Sequence, residues 1–278
     1  MVKDVAHLFK PLHQELMETL RALPAEAWLR PTVAPRWSVR DVAAHLLDGD
    51  LRNLAAHRDE HLFRPEGMEV SSYADVVSLI NSLNATGVAY AARLSTRLLV
   101  DLLELTGQWV SEFIQSLDPM APALFPVAWA GENESKNWMD TGREYTERWH
   151  HQMQIRDAVG AALLLDDEWY EPLLWFSVRA LPRTYADFSA AEGTTMVLQI
   201  RESAMAWSLV READHWSLQE GAAPNPAATV QVTRDDAWRL FFNVYGRDAA
   251  ASVLTIEGDR ALASHFVHAR SVMAEPRP

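Results

Sequence analysis

The sequence predicts a helical N-terminal half followed by a small α+β domain. Apolar residues recur every three or four positions through most of the first 160 residues. Beyond that point the texture changes to short strand-like runs mixed with a few helices. Prolines, and Gly160, punctuate the places where helices must stop. A chain of 278 residues has room for two domains. At 49% hydrophobic and 23% charged it is too apolar to remain disordered and can bury a sizeable core.

The stripe Val5, Leu8, Phe9, Leu12, Leu16, Leu20 and Leu23 predicts an amphipathic helix over 5–23, stopped by Pro24. Pro11 either kinks it or marks its true first turn, where a missing N–H costs nothing. A loop with Trp28, Pro31, Pro35 and Trp37 follows. Ser38 is a good N-cap, with Asp41 in the capping-box position, for a helix over 39–59. Its apolar stripe is Val39, Val42, Leu46, Leu47, Leu51 and Leu54, and the segment ends at 65–67. Helical stretches cover 73–94 and 98–117, and the pattern is compatible with two helices or one long bent one. Asp118 opens a proline-punctuated loop in which 127–131 reads as weakly extended. A last helix spans 137–159 and stops at Gly160. In the second half, a helix over 169–181 tolerates Pro172 in its first turn and ends at Pro182. Strands are expected at 195–200, 206–210, 228–232 and 253–259, with helices over 234–245 and up to 272. The expected domains are 1–162 and 163–278.

Composition narrows the function. Lys plus Arg number 25 against 38 acidic residues, and the net charge of −13 disfavours nucleic-acid binding, which rests on phosphate neutralisation. There is no cysteine, which excludes disulfides, thiolate metal sites and a cysteine nucleophile. Any sulfur chemistry here needs an imported thiol. The 11 glycines are widely spaced, the closest pair being Gly131 and Gly142, so no phosphate-binding loop and no nucleophile elbow can be built. The N-terminus lacks the apolar core of a signal peptide. The uncharged stretch 76–92 is too polar for a membrane span. These features read as a cytoplasmic protein with no membrane partner.

Two helices carry the chemistry. His45 lies at the border of the apolar stripe of the 39–59 helix, and Glu147 and His151 sit four apart on the 137–159 helix, on one face. A carboxylate and an imidazole from one helix, with an imidazole from a facing helix, can surround a single divalent ion. Two imidazoles and a carboxylate suit zinc, and three protein ligands leave a position open for water or substrate. His150, three residues from Glu147, is an alternative to His151. The plainer readings are a hydrogen-bonded histidine at the edge of the core and a solvated Glu147–His151 pair. His57, Glu60 and His61 match the H-x-x-E-H metalloprotease pattern at a charged helix end, a reading that needs the helix to run undistorted through His61. His265 and His268 form a weaker pair. Asp41 and Asp48, about a turn either side of His45, are candidate acceptors for its ring, capping being the plainer role of Asp41. Arg143, Arg148 and Arg156 are candidates for a substrate carboxylate, Arg148 reading more simply as an ion-pair partner.

Taken together, these segments carry a family resemblance. Trp37-Ser38-Val39-Arg40-Asp41-Val42-Ala43-Ala44-His45-Leu46 resembles the second-helix signature of the mycothiol-dependent maleylpyruvate isomerase family, one of the DinB-like metal-binding four-helix bundles. The preceding Leu23-Pro24-Ala25-Glu26-Ala27-Trp28 is similar to its first interhelix turn, and residues 147–158 resemble its final bundle helix. Residues 256–263 fit the closing strand and helix of its C-terminal domain, which resembles sterol-carrier-like folds. The resemblance implies a DinB-like four-helix bundle followed by an α+β domain, with His45, Glu147 and His151 as the metal ligands. It implies a divalent metal such as zinc and a low-molecular-weight thiol such as mycothiol, bound as thiolate at the open metal position. The expected activity is a thiol-dependent isomerase or S-transferase acting on a small electrophile. In an isomerase the thiolate adds to an activated cis double bond, allows rotation and leaves; in a transferase it stays attached. A non-catalytic small-molecule or lipid-binding protein with a structural or vestigial metal site is the alternative, and the 11 tryptophans fit either an apolar pocket or core packing.

Overall fold

The computed structural model describes residues 2–65, 71–274 and 277. They form two compact units, one made of the residues up to 126 with 134–164, the other of 127–133 with 165 onward.

The first unit is helical. After a 3-10 turn at Ala6–Leu8, α1 (Phe9–Arg21) buries Phe9, Leu12, Leu16, Met17 and Leu20. Pro11 falls in its first turn, where the backbone N–H has no helical partner to lose. Ser38 and Asp41 form a capping box that starts α2 (Val39–Asn53). The helix then widens into a π-helical turn, Leu54–Arg58. The stretches 73–94 and 98–117 are two helices, α3 (Tyr73–Ala91) and α4 (Thr96–Ser116). The Ser95 side chain accepts from Leu98 N and opens α4. The α5 helix (Asn137–Val159) stops where Gly160 turns left-handed at φ +73°.

These helices do not contribute equally. α1 packs on α4 and α5, and α2 packs on the same two, closing a four-helix ring. α3 leans chiefly on α2 from outside. Close approach is bought at two glycines. A Cβ on Gly87 of α3 would strike the Asp48 carboxylate of α2, and one on Gly107 of α4 would strike the His13 ring of α1.

The second unit differs in several places from the sequence reading. Residues 127–131 are not extended: Ala128–Ala130 is a 3-10 turn closed by Gly131 at φ +83°. Pro182 does not end the helix before it. α6 (Asp167–Ser177) passes through a 3-10 turn into α7 (Leu181–Thr184), where Pro182 occupies the first turn. Strands β1 (Thr195–Ile200), β2 (Ala206–Arg211), β3 (Trp216–Glu220), β4 (Ala228–Val232) and β5 (Thr255–Gly258) form one sheet in the order β3-β2-β1-β4-β5. Only β1 and β4 run parallel. The β3 strand was not expected, nor was the short helix α9 (Arg247–Ser252) that follows α8 (Arg234–Phe241). The closing helix is shorter than expected: α10 (Arg260–Ser264) runs into a 3-10 turn, His265–His268.

No helix among the described residues is long and apolar enough to cross a membrane. Two glycine substitutions test the packing. Gly107→Ala should cost about 1–3 kcal/mol through overpacking against His13. Gly49→Ala in α2, with no atom within 4 Å of the added Cβ, should gain about 0.5–1 kcal/mol. Thermal and urea unfolding of the two variants should therefore move in opposite directions.

Candidate metal centre

The site begins with where α2 starts. Ser38 Oγ accepts from Asp41 N at 3.3 Å, and Asp41 Oδ2 accepts from Ser38 N at 2.9 Å. This box fixes the first turn and hence the direction in which His45, two turns later, projects. A second constraint sets how α2 lies along α5. The Asp50 carboxylate, 1% exposed, accepts from Arg148 Nη2 of α5 at 2.6 Å and from Thr106 Oγ1 of α4 at 2.7 Å. The two helices run antiparallel, so this buried bond brings His45 alongside His151.

The result is a convergence of three side chains. His45, Glu147 and His151 each offer one ligating atom, and these atoms lie within 4.8 Å of one another. No other group of three acidic or imidazole side chains converges this way among the described residues. His151 Nε2 faces Glu147 Oε2 at 3.5 Å. The two imidazoles meet edge to face with centroids 4.5 Å apart. Trp37 covers both, its ring centroid 4.8 Å from His45 and 6.1 Å from His151. The turn before α2 holds it there: Thr32 Oγ1 donates to the Trp37 carbonyl at 2.8 Å.

The electrostatics match a site for a cation. Burial, reinforced by His151, holds the His45 imidazole well below the usual histidine range, so it stays neutral and keeps a free lone pair. Burial pushes the Glu147 carboxyl up, but His150, His151 and Arg143 outweigh it and hold it at about 2. One carboxylate and two imidazoles are a donor set that suits zinc. His45 Nδ1 is also buried with no hydrogen-bond partner. An unmet buried polar atom of this kind costs about 1–3 kcal/mol, which a bound group can relieve.

The other candidates separate clearly. His150 points elsewhere: its Nδ1 donates to the Thr146 carbonyl at 3.0 Å, and burial and His151 push its imidazole down to about 3. His57, Glu60 and His61 do not assemble. The helix ends in the π-turn, Glu60 is left-handed at φ +56°, and His57 packs edge-on to Phe125. His265 donates to the Thr184 carbonyl and His268 lies against Arg247, with no third ligand. Asp41 caps α2 and Asp48 pairs with Arg52 Nε at 2.8 Å, so neither meets His45 Nδ1. Arg148 is committed to Asp50 and Glu144, Arg143 to Asp140 and Glu144, and Arg156 to Glu15. None of these three is a free carboxylate clamp. Two residues around the imidazoles were not singled out from sequence, Trp37 as their cover and Gln154, whose Oε1 lies 3.0 Å from His151 Nδ1.

The sequence profile of the mycothiol maleylpyruvate isomerase N-terminal domain matches residues 9–156, a little over half of the chain. The chain belongs to this family. The crystal structure of a mycothiol-dependent maleylpyruvate isomerase is similar over 91% of both chains, at 17% identity and a TM-score of 0.53. That of a histidine-to-alanine mutant of such an enzyme is similar over 91% of both chains, at 14% identity and a TM-score of 0.52. At these identities the likeness establishes the maleylpyruvate isomerase fold, a helical N-terminal part with a C-terminal α+β domain. Comparison with curated protein sequences gives no match. The family match runs through all three converging residues of the site.

The buried neutral histidines of this family member carry a pH signature in metal-free protein. Below pH 6.5 the unfolded chain takes up a proton at His150 that the folded chain refuses until about 3, so acid favours unfolding. Each such histidine adds about 1.4 kcal/mol per pH unit to the slope of stability against pH. In urea titrations between about pH 6 and pH 4, His150→Gln should flatten that slope by one such increment.

Proposed function

We propose that this chain is a metal-dependent, low-molecular-weight-thiol-dependent isomerase or S-transferase that acts on a small electrophile. The observation that carries the reading is the convergence of His45, Glu147 and His151, from two helices, within 4.8 Å in a member of this family. These three residues would hold a divalent ion, zinc being the best fit to two imidazoles and a carboxylate. When bound, such an ion stabilises the thiolate form of an entering thiol.

The chain's own residues supply the rest. Glu147 is charged at neutral pH and is the anionic donor of the triad. His45 stays neutral because it is buried, so its lone pair is available without competition from a proton. Trp37 lies against both imidazoles and keeps water off that side. The chain has no cysteine, so the nucleophilic sulfur comes with the co-substrate, mycothiol or a related thiol. A cytoplasmic setting, where small thiols stay reduced, suits that requirement.

Elemental analysis of tag-free protein tests the first step. We expect about one divalent ion per chain, lost in both His45→Ala and His151→Ala while their thermal unfolding stays cooperative. The loaded protein is then incubated with mycothiol and maleylpyruvate and followed by NMR and mass spectrometry. A cis-to-trans product with the thiol recovered identifies an isomerase, and a thioether adduct a transferase. Failure to take up zinc would remove this reading and leave a non-catalytic ligand-binding protein.

A further inference from the structure

We propose that Gln154 is the positioning residue of the metal centre, because its side-chain carbonyl selects the proton position on His151. The inference rests on the metal-binding reading above. A neutral imidazole carries one proton, on either of two nitrogens, and only the unprotonated nitrogen can ligate a metal. His151 Nδ1 lies 3.0 Å from Gln154 Oε1, an atom that can only accept. Two acceptors face the ring, and Gln154 Oε1 is the nearer, at 3.0 Å against 3.5 Å for Glu147 Oε2, so the proton is placed on Nδ1 and Nε2 keeps its lone pair toward Glu147. Both side chains are buried, His151 at 7% exposure and Gln154 at 5%, so the contact between Nδ1 and Oε1 is shielded from water.

The arrangement follows from α5. Gln154 is three residues beyond His151, so ring and amide share one helical face. His45 provides the contrast: its Nδ1 is buried with no partner, so no bond at that atom selects its tautomer. One imidazole of the pair is thus set in advance, and the other is left to be set by what binds. The amide is also neutral. It orients His151 without placing a second negative charge beside Glu147, whereas an aspartate or glutamate at 154 would orient the ring and add charge.

The test reads the tautomer directly, without metal. Two-bond proton–nitrogen NMR of uniformly labelled, metal-free protein near neutral pH should show His151 as the Nδ1–H form, with its signals assigned by their loss in His151→Gln. In Gln154→Leu the ring should shift toward the Nε2–H form, and zinc affinity, measured by competition with a chromophoric chelator, should fall about 10–100-fold. Gln154→Glu keeps an acceptor and should keep both the tautomer and the affinity. An Nε2–H tautomer in the wild-type protein overturns the proposal, as does an unchanged tautomer in a folded Gln154→Leu variant. Should Gln154→Leu fail to fold, the wild-type and Gln154→Glu spectra still decide. The two readings fail separately: zinc binding with a tautomer indifferent to residue 154 sinks this inference alone. A tautomer that follows residue 154 in a protein taking up no zinc sinks the metal reading and leaves the tautomer assignment standing.

Discussion

Burying Asp140, Thr146, His150, His151, Gln154 and Arg156 on one helix leaves each of them needing a partner that water can no longer supply. α5 meets that demand locally and across the bundle. Arg143 Nε donates to Asp140 at 2.7 Å, and the Thr146 hydroxyl donates to the Arg143 carbonyl. Arg156 reaches the Glu15 carboxylate of α1 at 2.6 Å and the Ala162 carbonyl at 2.8 Å. The Asp50–Arg148 bond is the most consequential, because it joins α2 to α5 in the interior and recruits Thr106 of α4 as well. Removing one member of a buried pair costs about 3–5 kcal/mol, so the register of α2 along α5 is strongly specified.

The convergence of His45, Glu147 and His151 is a by-product of that register. Once Asp50 and Arg148 are matched, His45 arrives beside His151, itself one turn from Glu147, and no loop has to fold over to complete the triad. Rigid helices hold ligands more precisely than loops do. The centre also sits in a layered surround. Trp37 lies over the imidazoles, and His150 lies behind them, 3.9 Å from His151 between ring centroids. This surround is apolar or neutral, which leaves Glu147 as the single negative charge among the three converging groups.

What the sequence disclosed and what it withheld divide along physical lines. Helix ends were legible wherever a local device sets them, as at Ser38 with Asp41 and at Gly160. The helical repeat put Glu147 and His151 on one face of the last bundle helix but left His150 open as an alternative; the set His45, Glu147 and His151 was what the family resemblance implied. Pro182 misled because a proline that ends one helix can equally open the next turn. The run 127–131 misled because a short apolar stretch has no period to read. β3 escaped notice as an edge strand with Trp216 its only fully buried residue, so its alternation is faint. Gln154 was visible at helical spacing from His151, but its partner emerges only once burial shows which acceptors are shielded from water. The π-turn at Leu54–Arg58, which takes His57 and His61 out of a helical frame, left no mark in composition.

The place of α3 outside the four-helix ring has a consequence for how the fold can diversify. The helix buries only Val77 and Ala91 fully and is tied to α2 by a few specific contacts. Asn84 accepts from Arg52 at 2.7 Å, Gly87 makes room for Asp48, and Arg40 donates to the Ala91 and Leu94 carbonyls at its C-terminal end. Those anchors lie on the α2 helix that presents His45, yet the interior built by α1, α2, α4 and α5 closes without α3. Residues of α3 can therefore drift, or be recombined in the laboratory, at little cost to the four-helix interior. A bundle built this way separates what must be kept from what can be varied, with the three converging side chains in one set of helices and a tolerant surface in another.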